Sequence, residues 1–165
     1  MKIFIKLTLI GILFILFASC KKETKVEVQN ITDTLYTEIP ITISTITANK
    51  WMIEETKSVL GGNIVYYLRG GSSNTINFDD EHYKFNVDFT GSHQEDNTIQ
   101  RPITWSFLNA ENTKLIIHFT NTPANFDVIW ENIRTKNSKL YYDEYFTDGN
   151  TGKNSHGQFI RIFKP

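Results

Sequence analysis

From Trp51 onward the chain is a succession of short strand-like runs broken by turn residues, a pattern that points to an antiparallel β fold. Trp51 to Thr56 opens the series, and Gly61-Gly62-Asn63 turns it into Ile64 to Leu68. Gly70-Gly71-Ser72-Ser73 ends that run, and Thr75 to Phe78 follows. Tyr83 to Phe89 has the cleanest period of two, with Tyr83, Phe85, Val87 and Phe89 on one face and polar residues on the other. A polar stretch from Thr90 to Gln100 reads as a long loop. Four more runs, 103–107, 114–119, 126–133 and 139–146, precede a last one at 159–163. Since no segment carries a helical period with caps, the predicted class is all-β. About eight or nine short strands at this spacing suit a closed barrel, which also removes exposed sheet edges.

The N-terminus is of a different kind. Lys2 and Lys6 precede an apolar stretch from Leu7 to Ala18, and Ser19-Cys20 follow. A basic start, an apolar centre and small residues before a cut are the marks of a secretory signal. The stretch is short for a membrane span, which needs roughly 20 apolar residues. Phe17-Ala18-Ser19-Cys20 resembles the lipobox of bacterial lipoproteins. That resemblance implies cleavage after residue 19, lipid on Cys20, and a membrane partner in the cell envelope, with the outer membrane as the expected location. Several acyl chains hold a protein on a bilayer, whereas one alone does so only marginally. Cys20 is the single cysteine, so no disulfide is expected and the fold must hold by packing.

Three segments follow from this reading: a signal peptide over 1–19, a lipidated threonine-rich tether over 20–47, and a barrel domain over 48–165. Within the tether, Ile39, Ile41 and Ile43 alternate with polar or proline residues like a short strand, and the role of that piece is open. The net charge of −1 becomes −3 once Lys2 and Lys6 leave with the signal, and no basic run occurs. Nucleic acid is therefore not an expected partner.

The domain resembles the lipocalin-like lipoproteins, relatives of the wider calycin barrel group. Trp51 at the start of the first strand, the aromatic-rich stretch from Phe78 to Phe89, and the pair Ile103-Thr104-Trp105-Ser106-Phe107 and Leu115-Ile116-Ile117 carry the likeness. A last strand bearing Arg161 completes it. The resemblance implies an up-and-down barrel of about eight strands in which an arginine from the last strand lies across the ring of the first-strand tryptophan. Trp51 and Arg161 are the residues in those places. Asn49 stands where the family usually has glycine.

Barrels of this size either hold one small ligand or are filled by their own side chains. The expected function is non-enzymatic binding of a small apolar or glycan-like ligand, with Tyr66, Tyr83, Trp130 and Tyr142 as candidate contacts. The alternative is a filled barrel that docks onto another envelope protein. Cofactors and metals are not expected. His82, His93, His118 and His156 lack metal-ligand spacing, and Asp148 to Gly152 has only part of a calcium loop. Asp79-Asp80-Glu81 reads as a solvated turn. An enzyme would require carboxylates or histidines converging at the barrel mouth, and the sequence shows no such group.

Overall fold

The computed structural model describes residues 39–120, 126–147, 152 and 154–164. The expected signal segment, Cys20 and the tether up to residue 38 lie outside them, as does most of the Asp148–Gly152 loop.

Nine antiparallel strands form one sheet that closes on itself: β1 (Lys50–Leu60), β2 (Asn63–Leu68), β3 (His82–Phe85), β4 (Thr90–Gln94), β5 (Gln100–Phe107), β6 (Leu115–Phe119), β7 (Phe126–Lys136), β8 (Lys139–Thr147) and β9 (Asn154–Lys164). From β3 to β9 each strand pairs with the next, and β9 returns to β1. The other edge of β1 is divided. Its first residues pair with β3, Trp51 opposite Tyr83, and its later ones with β2, Glu55 opposite Leu68. The result is an eight-stranded barrel with β2 as an extra flap, the predicted all-β class.

Arg69 occupies the fork where β2 and β3 part. Its guanidinium donates to the carbonyls of Ile53 and Asp79, and its backbone N–H donates to the Glu54 carbonyl. Ile53 to Glu55 is also where the β1–β9 register shifts by a bulge, so the arginine satisfies backbone that the ladder leaves free. Thr75 to Phe78, expected to be a strand, is part of the connection between β2 and β3. Thr75 and Asn74 instead bond to the backbone of Tyr66 and Leu68 and cover the outer edge of β2.

The run Tyr83 to Phe89 also departs from expectation. It is a strand only to Phe85, and Asn86 to Phe89 form a tight turn into β4, which lies within the stretch expected to be loop. Asn86 N–H donates to the Thr90 carbonyl, Asp88 Oδ1 accepts from the Thr90 N–H and hydroxyl, and Phe89 takes a positive φ of 63°. Tyr83 and Phe85 are buried as the alternation predicts, but Val87 at the turn is 71% exposed and Phe89 44%.

The segment left open by the sequence seals one end. Ile39 bridges to Thr135, and α1 (Ile43–Thr47) is a one-turn helix whose N-cap, Thr42, accepts from the Thr45 N–H. Ile41 and Ile46 are fully buried under it. The Trp51 indole N–H donates to the Ile46 carbonyl at 2.9 Å, and Asn112 donates to the Ile41 carbonyl. Packed structure therefore begins ahead of residue 48. Above this plug the interior is aromatic, with Trp51, Phe85, Trp105 and Trp130 nearly inaccessible to solvent. Neighbouring rings meet edge to face, as in Phe85–Trp105 and Phe85–Trp130. Each such pair adds about 0.5–1.5 kcal/mol beyond its buried area.

Candidate functional site

Above the plug, the inward residues include charged groups. Arg161 on β9 is 1% exposed, Glu81 just before β3 is 4% exposed, and Glu144 on β8 is 8% exposed. An arginine alone in an apolar barrel would cost several kcal/mol, so its hydrogen bonds decide whether it is tolerated. Four of its five N–H donors are used. Nη1 and Nη2 reach the two Glu81 oxygens at 2.7 and 2.9 Å, Nη1 also donates to the Trp51 carbonyl, and Nε donates to the Tyr142 hydroxyl at 2.5 Å.

Trp51 and Arg161 thus meet, but not as the resemblance implies. The contact to Trp51 is through its carbonyl. The guanidinium sits over the rings of Tyr83, at 4.7 Å, Trp130 and Tyr142, while the Trp51 ring packs on Phe163 at 4.3 Å. The cation thus lies against three other aromatic rings and not against that of Trp51.

His93 on β4 completes the network. Its Nε2 lies 2.8 Å from Glu81 Oε1, and its ring stacks on Tyr83. A carboxylate only accepts, so Nε2 carries the proton, and in the neutral ring Nδ1 is an acceptor. That Nδ1 is buried and has no protein partner. Glu144 takes one hydrogen bond, from the Trp130 indole N–H to Oε2 at 2.8 Å. The two glutamates ionise very differently. Burial opposes the charge on Glu81, but the Arg161 guanidinium and the His93 hydrogen bond outweigh it and hold the carboxyl at about 2. Burial dominates at Glu144 and pushes it up to about 7, against the weaker pull of Arg161 and the Trp130 N–H.

These groups line a cavity of about 220 Å³ at the open end. Its walls include Phe119, Phe126, Phe146 and Phe159, and Glu81, His93, Glu144 and Arg161 also contribute to its lining. Among the described residues, no set of three or more His, Cys, Asp or Glu side chains is arranged to hold a metal ion.

Of the four candidate contacts, Tyr83 lines the cavity. Trp130 and Tyr142 stack at 4.0 Å, and both are buried. The structure brings these three together around Arg161. Tyr66 is elsewhere: it faces outward on β2, opposite Lys57, beside a separate surface groove. Three residues of the cluster, Glu81, His93 and Glu144, were not anticipated. Glu81 belongs to an acidic triplet that reads as a solvated turn, yet it is buried by an arginine from the far end of the sequence. The period of two in β8, placing Leu140, Tyr142 and Glu144 on one face, was the available signal for Glu144.

No protein-family model matches the chain, and neither does any curated protein or solved structure. The likeness to calycin barrels therefore stands on architecture: a closed, eight-stranded antiparallel barrel with one sealed and one open end.

Proposed function

We infer that this is a binding protein of the lipocalin-like kind, taking one small, mainly apolar ligand into the open end of the barrel and held at an envelope membrane by lipid on Cys20. The observation that carries the binding reading is the cavity itself: aromatic walls above a polar cluster that includes a buried, unpartnered His93 nitrogen. A concave, mainly apolar site with a few convergent polar groups is where a small molecule binds. The lipid anchor rests on the sequence around Cys20.

The same geometry also raises a second reading, an enzyme using Glu81 and Glu144 as an acid/base pair, because their ionisation is driven apart. The hydrogen bonds favour binding. Both Glu81 oxygens accept from Arg161, and one of them also from His93, so three of this carboxylate's roughly four acceptor sites are already taken. Glu144 would act alone. A non-enzymatic barrel is the simpler account.

The test is native mass spectrometry of the protein purified from its own envelope, followed by organic extraction. A reproducible extra mass released into solvent supports a carrier or sensor. A bare polypeptide, combined with crosslinks to another envelope protein, would favour the docking alternative.

A further inference from the structure

Of the carboxylates around the cavity, Glu81 and Glu95 have both oxygens occupied by protein, Glu81 by Arg161 and His93 and Glu95 by Arg101. Oε1 of Glu144 and Nδ1 of His93 have no protein partner among the described residues. Ionised, the Glu144 carboxylate can only accept, so whatever completes it must donate.

Charge narrows the choice. Glu81 and Arg161 cancel, and Glu95, also lining the cavity, is paired with Arg101 at 2.5 Å. Ionised Glu144 is then the uncompensated charge of the chamber, and its sign is negative. The walls are apolar, with Phe119 and Phe126 stacked at 4.5 Å. Volume sets the size. A dry cavity of roughly 150 Å³ takes a benzene molecule, so about 220 Å³ takes one ring and a short chain.

We propose that the barrel's ligand is a small protonated amine carried on a single aromatic or aliphatic ring, its ammonium group directed at Glu144 and its ring against Phe119 and Phe126. This deepens the binding reading above and rests on it.

Ionisation of Glu144 makes the interaction depend on pH. The titratable and charged groups set around it are Arg161 from β9, Glu81 from the segment before β3, Tyr83 from β3, His93 from β4 and Tyr142 from β8 itself. Arg161 and Glu81 stay charged and cancel across neutral pH, and both tyrosines stay neutral.

The experiment is titration calorimetry of the full chain at pH 8 with four probes: 2-phenylethylamine, 2-phenylethanol, 3-phenylpropanoate and toluene. The amine is expected to bind about tenfold or more tighter than the alcohol, as a charged hydrogen bond allows, and the carboxylate to bind most weakly. The amine's affinity should fall between pH 8 and pH 6. In Glu144→Gln its advantage should vanish while toluene binding persists, which also shows that the variant is folded. Equal binding of amine and alcohol, or preference for the carboxylate, overturns the inference. So does toluene binding without amine binding, an outcome that leaves the cavity a binding site. Failure of all four probes overturns the inference as well, and the extraction experiment then decides the broader reading independently.

Discussion

Trp130 and Glu144 face each other across the β7–β8 ladder, and the indole N–H of one supplies the only protein hydrogen bond to the carboxylate of the other among the described residues. The indole should therefore report the charge state of the glutamate. Tryptophan emission is expected to change with a midpoint near pH 7, where Glu144 titrates. Glu144→Gln should abolish that transition, because its amide oxygen accepts the same hydrogen bond without titrating. A transition that survives unchanged in the variant would show that another group is responsible.

Glu144 and Glu81 pull stability in opposite directions with pH. Glu144 is raised from 4.5 to about 7, so the folded state holds its proton more tightly. Its contribution is complete below pH 4.5 and disappears as the pH rises to about 7. Glu144→Gln should thus be more stable than the parent at pH 8, by on the order of 3 kcal/mol at most, and show no gain at pH 4. Urea denaturation at the two pH values checks this.

Glu81 is lowered from 4.5 to about 2. The stability it contributes is present above pH 4.5 and is lost as the pH falls towards 2. Acid unfolding with a midpoint in that window is expected.

Breaking the Glu81–Arg161 pair from one side should be severe. Glu81→Ala leaves the guanidinium buried and uncompensated, a change that typically costs about 3–5 kcal/mol. The double variant Glu81→Gln, Arg161→Met should recover a large part of that loss, since a buried pair replaced by neutral groups is often tolerated. A double variant no more stable than the Glu81→Ala single would mean that the pair does more than neutralise itself.

Gly157 lies opposite Ser58 in the β1–β9 ladder, and a Cβ built on it would fall 2.1 Å from the serine Cβ. Gly157→Ala forces two packed strands apart and should cost about 1–3 kcal/mol. Melting temperatures indistinguishable from the parent would show that the pair can spread freely.

The strands were legible because most of the barrel obeys a simple alternation: Leu115, Ile117 and Phe119 point in while Ile116 and His118 are more exposed. The failures have local causes. Tyr83 to Phe89 alternates just as well, yet Asn86 and Asp88 are turn formers whose side chains bond to Thr90, and that chemistry overrides periodicity. β4, reading Thr-Gly-Ser-His-Gln, has almost no strand character and is held by its neighbours. The site was harder to see. Glu81 and Arg161 are 80 residues apart in the sequence, and nothing around either residue announces the other. The plug was hidden for a similar reason: a single helical turn is too short to show a period.

The divided edge of β1 has a consequence for local opening. Between Glu55 and Leu60 the wall beside β1 is β2 alone, and on its far side β2 meets side chains of a connecting segment instead of another strand. Because β2 has a strand partner on one edge alone, it is a segment that local opening can release without breaking the closed ring of the other eight strands. Opening there would detach β2 while β3 and β9 still hold β1 in the barrel, and the bonds from Arg69 to the carbonyls of Ile53, Glu54 and Asp79 resist it.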